Sequence, residues 1–378
     1  MKNLTAKLIG GFVLLTGLAY AGPGKEIVIE PETPKTFCDH YGDVLGLAKL
    51  YEGDGPLIQE IKLIGRYHGQ YHNTESDLGD DSDWENRRFR FGVGATFLEN
   101  FEFEGQFNLK NDFSESGRLF ETVEDLTISW EPNDAWGITV GKQKPKVTRE
   151  YSTSSKRIKT IERSQLVNQI VPDKAGGIVL TLNDVAGFEI DLGGFTGDAG
   201  DDWDLPDFDG GYGLYARIGR EITEATEVRF DYFYNDGDPN NGEFEDFGNI
   251  FSLNSSSDWD RMHLVTDLIY ATGINGEADN FGVVFMPYYD ITDKLEAVFR
   301  YTYSNSDRFN GLDEQSRYED DASGAITGDA YNAFYLGLNY YICGDKLKLM
   351  NGVEYADMSG GAVENDWWTF FTGVRMYF

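Results

Sequence analysis

The sequence predicts an all-β fold: a transmembrane antiparallel β-barrel of about 16 strands, with long outer loops and short periplasmic turns. Three observations predict it. The final segment alternates aromatic and polar residues, as a membrane-facing strand does. The same alternation persists through residues 57–378, and no segment there resembles a transmembrane helix. The chain also holds 44 Gly, 22 Tyr and 26 Phe, with Asn- and Asp-rich connectors between the alternating segments.

The final segment, residues 367–378, carries the strongest signal. Trp368 and Phe370 share one face of the predicted strand, and Phe371 and Arg375 share the other. Bilayer hydrocarbon cannot solvate an open sheet edge, so a strand with an apolar face needs hydrogen-bonded neighbours on both sides. The segment therefore predicts a sheet that closes on itself and resembles the C-terminal signal of bacterial barrel proteins.

A predicted hairpin over residues 89–97 and 101–109 shows which side of the sheet faces lipid. Phe103 and Phe107 lie on one face of its second strand, whereas Glu102 and Glu104 lie on the other. Apolar side chains outside and polar side chains inside are the pattern of a barrel embedded in lipid.

The strand count follows from parity. Both ends of the barrel domain are expected in the periplasm, which requires an even number of strands. A strand must therefore lie between residues 234 and 262, and residues 247–254 supply it, followed by a Ser-rich periplasmic turn at residues 255–258. The other strands are predicted at residues 57–72, 89–97, 101–109, 123–130, 136–144, 177–182, 188–195, 212–220, 227–234, 262–272, 280–289, 295–304, 330–341, 346–355 and 367–378.

The segments before the barrel predict export. Lys2 and Lys7 precede an apolar run and then a small-x-small site that ends at Ala21, so residues 1–21 are predicted to be a signal peptide. A membrane anchor is disfavoured because a spanning helix needs about 20 apolar residues. Residues 22–56 are predicted to be a periplasmic N-terminal segment, and residues 57–378 the barrel.

The chain contains two cysteines, Cys38 and Cys343. Cys38 lies in the predicted periplasmic segment, and Cys343 lies in a turn on the same side. Export makes a disulfide between them chemically feasible, and two free thiols are the alternative. Two cysteines alone do not predict a metal site.

The chain is strongly acidic, with a formal net charge of −33, which argues against a nucleic-acid partner. About a third of the acid lies in four predicted outer loops, at residues 75–85, 198–209, 236–246 and 307–321. Solvated acidic loops are one interpretation. The alternative is that divalent cations bridge these loops to anionic outer-membrane lipid, because carboxylates are good oxygen ligands.

One segment breaks the acidic trend. It contains eight of the chain's 32 Lys and Arg residues: Lys142, Lys144, Lys146, Arg149, Lys156, Arg157, Lys159 and Arg163. The segment enters the predicted third outer loop, at about residues 145–176, which is expected to fold inward and constrict the channel. Cations at a constriction select anions, because low-dielectric walls focus their field. The alternative is a surface patch that binds lipopolysaccharide phosphate.

Cations on the inward faces of the strands support the pore interpretation. Those predicted to face the lumen include Arg66, Arg88, Arg90, Arg229, Arg300 and Arg375. Each could instead pair with a neighbouring carboxylate, such as Glu104 or Asp231, and so brace the wall.

Residues 140–145, Val-Gly-Lys-Gln-Lys-Pro, and the later Ile161-Glu162-Arg163-Ser164 resemble the phosphate-selective porin O/P family, as do Pro172-Asp173-Lys174 and Gly176-Gly177. The resemblance implies a sixteen-stranded, trimeric, anion-selective pore. It also implies that the loop cations carry the selectivity, with phosphate as one candidate solute.

Three functions are therefore expected to compete. The first is passive diffusion of small anions through a pore constricted by the third loop. The second is a general or cation-preferring porin, and the third is a structural outer-membrane barrel with a blocked lumen. No catalytic residue, metal or cofactor is expected, because the four histidines form no recognisable catalytic pattern.

Overall fold

The computed structural model describes residues 35–109, 119–197 and 210–378. The predicted signal peptide and the acidic loop segment 198–209 lie outside these ranges. The barrel strands are β2 (Ile58–Ser76), β3 (Asp80–Phe97), β4 (Phe101–Leu109), β5 (Phe120–Asn133), β6 (Trp136–Gln143), β7 (Ala175–Val185), β8 (Phe188–Thr196), β9 (Tyr212–Thr223), β10 (Thr226–Asn235), β11 (Phe247–Trp259), β12 (Met262–Gly273), β13 (Asn280–Thr292), β14 (Leu295–Ser306), β17 (Ala330–Tyr341), β18 (Leu347–Ser359) and β19 (Asn365–Tyr377).

Smaller elements precede the barrel or lie in its loops. The short strands are β1 (Lys49–Glu52), β15 (Leu312–Asp313) and β16 (Thr327–Gly328), and the helices are α1 (Phe37–Gly46), α2 (Arg149–Ser152), α3 (Gln165–Ile170) and α4 (Glu319–Ser323). Within the described ranges, no helix is both long and apolar enough to cross a membrane.

The sixteen strands form one closed antiparallel barrel, as predicted. Each strand pairs with the next, and β19 pairs with β2 to close the ring, with Trp367 opposite Ser76 and Tyr377 opposite Arg66. The ring of Phe378 lies against Gly65, where the Cβ of any other residue would collide with it. A glycine on the first barrel strand therefore makes room for the last aromatic side chain at the seam.

The strand predicted from parity exists as β11, but its turn was placed too early. Residues 255–257 continue β11 and pair with β12, and the turn lies at Asp260–Arg261, where Asp260 has a positive φ of 55°. Serine favours turns locally, yet here Ser255 bonds across the strands to Thr266 at 2.7 Å. Pairing between strands therefore overrides the local preference of the Ser-rich run.

The outward face of the barrel is apolar and carries aromatic side chains near its rims. Phe97, Phe101, Trp130 and Trp136 form a continuous row at the periplasmic end, with ring centroids 5.2 to 6.0 Å apart. Trp368 and Phe370 of β19 are half exposed on the same outward face, whereas Phe371 is buried inside. This alternation matches the predicted orientation, and the aromatic row fits the interface belt of an outer-membrane barrel.

The third and seventh outer loops fold into the lumen. The third outer loop, residues 144–174, buries Val147, Leu166 and Ile170 among side chains from the barrel wall. The seventh outer loop, residues 307–329, buries Leu312 and Tyr318 in the same way. The lumen therefore holds a packed core that is built by loops against the inward faces of the strands.

Candidate functional site

The third outer loop is held in the lumen by buried ion pairs. Arg300 on β14 lies 2.9 Å from Glu150 of the loop and 2.9 Å from Glu354 on β18. All three side chains are buried. Removing one partner of a buried ion pair leaves an uncompensated charge and costs about 3–5 kcal/mol, so this triad fixes the loop to two strands.

A second buried pair joins the loop to the opposite side of the seam. Glu162 accepts a hydrogen bond from Arg87 on β3 at 2.7 Å and another from Gln70 at 3.0 Å. Burial opposes ionisation of Glu162, but the positive charges of Arg87 and Arg88 hold its pKa below the usual value. The carboxylate therefore remains charged and anchored.

Arg87 could not be found from alternation. In the sequence it has the parity opposite to Arg88, which was predicted to face the lumen. A register irregularity between His68 and Gln70 of the facing strand changes the alternation here, so that a half-buried Arg87 and a buried Arg88 both lie on the inner side. Such irregularities leave no clear mark in a single sequence.

Several strand cations bind the backbone of the loop. Arg229 donates to the carbonyl of Thr148 at 3.1 Å, and Arg375 donates to the carbonyl of Ile161 at 3.0 Å. Lys348 donates to the carbonyl of Ile158 at 3.0 Å. These charged hydrogen bonds satisfy carbonyls of a loop that is excluded from water, which explains why the cations are needed inside the barrel.

A cavity of about 570 Å³ lies on the periplasmic side of the third outer loop, and we call it the basic cavity. Its walls include Ser256 of β11 and Tyr288 of β13, and six cations line it: Lys146, Arg149, Arg157, Lys159, Arg217 and Arg229. Among its described lining residues, Glu150 is the one acid, and that acid is paired with Arg300. The other lining side chains carry hydroxyl groups or are apolar, and the apolar ones are Ile158, Val265 and Met286.

The cations of the basic cavity differ in how far they are neutralised. Four have a carboxylate partner outside the lining: Arg149 with Glu227 at 2.7 Å, Lys159 with Glu296 at 2.6 Å, Arg217 with Asp191 at 3.1 Å and Arg229 with Asp231 at 2.9 Å. Lys146 and Arg157 are exposed and form no ion pair within the described ranges. These two residues supply most of the uncompensated positive charge.

The eight cations predicted for the constriction do not form one group. Lys146, Arg149, Arg157 and Lys159 line the basic cavity, whereas Lys142, Lys144, Lys156 and Arg163 do not. In the pairing of β5 with β6, the backbone of Lys142 lies opposite Leu126. Lys142 follows Val140 by two residues, so alternation places its side chain on the same outward face. Four of the eight predicted cations therefore line the basic cavity, and the other four do not.

The remaining three of these cations bind within the loop or against its neighbours. Lys144 donates to the carbonyl of Tyr151 and lies 4.9 Å from the centre of its ring. Arg163 donates to the carbonyl of Glu150 at 3.0 Å, and Lys156 lies over the ring of Tyr377 at 5.2 Å. Burial and the charge of Arg66 lower the pKa of Lys156. These side chains stabilise the loop.

The six strand cations predicted to face the lumen mainly bind the third loop or other residues of the barrel wall. Arg229, Arg300 and Arg375 bind the third loop, as described above. Arg66 donates to Ser155 of the loop, Arg88 lies 3.5 Å from His68, and Arg90 pairs with Glu124 at 2.8 Å. Three of the six pair with a carboxylate of the wall, as the alternative interpretation expects: Arg90 with Glu124, Arg229 with Asp231 and Arg300 with Glu354.

A second cavity, of about 230 Å³, lies on the outer side of the third loop and has the opposite charge. We call it the acidic cavity, and it is lined by five carboxylates: Glu245, Asp246, Glu277, Asp313 and Glu314. Among the described residues, neither Lys nor Arg lines it. Partial removal from water, with the charges of Asp173 and Asp246, raises the pKa of Glu245 to about 7.

The two cysteines are joined in the structure. Cys38 of α1 and Cys343 of the β17–β18 turn form a disulfide, with their Cα atoms 5.4 Å apart. No group of three or more His, Cys, Asp or Glu side chains in the described part of the chain could hold a metal ion. Divalent cations at the acidic outer loops therefore stay a prediction.

The family comparison agrees with the predicted resemblance. The family model described as phosphate-selective porin O and P matches residues 61–204, which include the third outer loop. No curated protein sequence matches the chain. The resemblance to this porin family is confirmed over that region.

Solved structures share the fold at low sequence identity. The anion-selective porin of Comamonas acidovorans is 10% identical, with a TM-score of 0.57, and the match covers 84% of this chain and 99% of that one. OprB of Pseudomonas putida is 12% identical, with a TM-score of 0.60 and coverage of 84% and 94%. OmpT of Vibrio cholerae is 12% identical, with a TM-score of 0.55 and coverage of 87% and 100%.

The chain is a porin-type β-barrel of the bacterial outer membrane. Family and fold together support an outer-membrane channel rather than an enzyme. For this porin-type barrel, the solute and the residues that select it are questions for the geometry of the two cavities.

Proposed function

We propose that this barrel conducts small anions by passive diffusion and that the basic cavity sets its selectivity. The observation that carries the proposal is the cavity of about 570 Å³ in which six Lys and Arg side chains face one acid. Cations on the wall of a narrow, low-dielectric passage raise the local concentration of anions. The two unpaired cations, Lys146 and Arg157, are the main carriers of this effect.

Phosphate and other oxyanions are the solutes that this lining fits best. Arginine presents paired N–H donors that match the oxygens of an oxyanion, and lysine supplies a mobile positive charge. The hydroxyl group of Ser154 lines the same space and can donate a hydrogen bond, whereas those of Ser152 and Thr153 already donate to the carbonyl of Arg149. The Comamonas porin with a similar fold is described as anion-selective, and the matching family as phosphate-selective.

The assembly follows from the same comparisons. We infer a homotrimer in the outer membrane, since OmpT of Vibrio cholerae, which shares the fold, was solved in a trimer form. Contact with outer-membrane lipid follows from the apolar outward face, and lipopolysaccharide would meet the outer rim.

The proposal is tested by the sign of the zero-current potential across a planar bilayer with a potassium chloride gradient. The wild-type channel is expected to favour chloride over potassium. The double variant Lys146→Glu, Arg157→Glu should lose this preference, with a change of about thirtyfold in the permeability ratio, because each reversed side chain contributes about 1 kcal/mol near the ion path. Both residues are exposed, so the barrel should fold normally.

A matched control separates the cavity from the total charge. Arg220→Glu with Arg261→Glu makes the same change of charge on the periplasmic rim, outside the basic cavity. That variant should keep the wild-type preference. If the wild-type channel favours potassium, or if the two double variants have equal effects, the basic cavity does not determine the selectivity.

The acidic cavity supports the second candidate, a cation-preferring porin. Five carboxylates at the outer side of the third loop would attract cations before they reach the basic cavity. The same potential measurement decides between the candidates. A structural barrel with a blocked lumen would give no conductance at all.

A further inference from the structure

The N-terminal strap, which we define as residues 35–52, carries apolar side chains that nothing in the described barrel covers. Phe37, Val44 and Leu47 are 62%, 62% and 77% exposed. Their spacing of seven and three residues places them on one side of α1. An apolar face of this kind in a protein that is already embedded in a membrane indicates a further contact.

The strap is fixed at both of its ends, so the direction of this face is fixed as well. β1 pairs with β2, with Glu52 opposite Glu60, on an edge that β19 does not reach. At the other end the disulfide joins Cys38 to the β17–β18 turn, and the hydroxyl of Tyr41 donates to the carbonyl of Lys346 at 3.3 Å. The strap therefore follows the periplasmic rim below the last barrel strands.

The exposed face continues a surface that already contacts lipid. Tyr51 of β1 pairs with Ile61, which lies on the outward face of β2 together with Leu63. The aromatic row of Phe97 and Phe101 lies at the same end of the neighbouring hairpin. The outward surface of the barrel thus extends through β1 toward the apolar face of α1, at the depth where the bilayer meets the periplasm.

Two lysines stand next to the strap at this depth. Lys294 of the β13–β14 turn and Lys346 of the β17–β18 turn are exposed, and neither forms an ion pair within the described ranges. With Phe37, Tyr41 and one carboxylate, that of Asp293, they line a cavity of about 540 Å³ between α1 and the two turns. Cations beside an aromatic, apolar wall match the phosphate and the adjoining acyl chains of a phospholipid.

We propose that the strap lies on the periplasmic leaflet of the outer membrane. Phe37, Val44 and Leu47 enter the interface between headgroups and acyl chains, and Lys294 and Lys346 bind the phosphate of a phospholipid. The disulfide keeps the helix at this depth, since α1 buries no side chain of its own and the pairing of β1 is short. This contact is independent of the solute that the channel conducts.

The first test measures the depth of two positions on opposite sides of α1. Two variants, Val44→Cys and Gly46→Cys, are each labelled at the new cysteine with the fluorophore NBD while the native disulfide stays oxidised. Each labelled barrel is then reconstituted in phosphatidylethanolamine–phosphatidylglycerol vesicles. A Cβ atom added at Gly46 has no other atom within 4 Å, so the fold should tolerate the control substitution Gly46→Cys. The label at position 44 should show a blue shift and should be quenched by nitroxide-labelled phospholipid, whereas the label at position 46 should show neither.

Other occupants of the face would give different results. A blue shift at position 44 without quenching by the labelled lipid would mean that protein covers the face, either a second copy or another part of the chain, and would overturn the proposal. Water-like emission from both positions would overturn it too.

The second test concerns the two lysines. Native mass spectrometry of the purified barrel should detect retained phosphatidylglycerol, and Lys294→Glu with Lys346→Glu should reduce the retained fraction by about tenfold. Arg220→Glu, which alters the same rim away from the strap, should leave it unchanged. An equal loss in both variants would show that the rim attracts lipid through its general charge alone, and would contradict the proposed site.

Discussion

The basic and acidic cavities lie on opposite sides of the third outer loop and carry opposite charge. The basic cavity holds six cations and one acid, and the acidic cavity holds five acids without a described cation. The chain as a whole has a net charge of −33. The comparison shows that overall acidity does not determine the charge at the narrow part of the lumen, because the third outer loop separates the two signs.

On the proposed path, an ion that enters from outside meets the two fields in sequence. Cations are attracted first and then repelled, and anions experience the reverse. Which cavity dominates depends on the third loop remaining between them. The predictions below first break this arrangement and then change each side of it.

The largest effect is expected from Arg300→Met, which removes the cation between Glu150 and Glu354. Both carboxylates would remain buried without their partner, at a cost of about 3–5 kcal/mol, so the loop should leave its position. Single-channel conductance in planar bilayers should rise, and the difference between anions and cations should fall. Arg90→Met is the matched control, because Arg90 pairs with Glu124 on β5 of the barrel wall, and Glu124 keeps Lys174 as a second cationic partner. Equal conductance in both variants would contradict the bracing role of Arg300.

A smaller effect is expected when the acidic cavity is neutralised without disturbing the loop. Glu277→Gln with Asp313→Asn removes two of its five negative charges. The preference for chloride, measured by the zero-current potential, should increase by about threefold to tenfold, since each charge contributes roughly 1 kcal/mol or less in this wet environment. A preference that stays the same would show that the outer cavity does not influence the ion path.

The smallest effect is expected from pH. The pKa of Glu245 is raised to about 7, so this carboxyl loses its negative charge as pH falls from 8 to 6. The preference for chloride should therefore increase over this interval. Glu245→Gln, which lacks the titrating group, should show a weaker dependence when the same potential is measured at both pH values. An identical dependence in the variant would assign the titration to another group.

The strands were predictable because their alternation reflects a physical boundary. Lipid on one side and a polar lumen on the other require opposite side chains at successive positions, which is why even β11 could be placed from parity. The orientation of Trp368 and Phe371 followed from the same rule. The turn after β11 did not, because pairing with β12 keeps the serines in the strand.

The interior was less predictable, because alternation shows which face a side chain takes and not what it touches. Arg300 and Arg375 were expected in the lumen, but their partners in the third loop are 150 and 214 residues away in the chain. The cluster of cations marked a loop that folds into the lumen. It could not show that Lys144 and Arg163 fold back on the loop itself, or that the seventh outer loop also enters the lumen.

The hydrogen bonds of the third loop have a mechanical consequence. Arg66 and Arg229 project from β2 and β10, which lie opposite each other in the strand order, and both bind the segment around α2. The loop therefore acts as a strut across the diameter of the cylinder. Lateral pressure from the surrounding bilayer that flattens the cylinder would be transmitted directly to Lys146 and Arg157, so lipid composition should tune the ion flow.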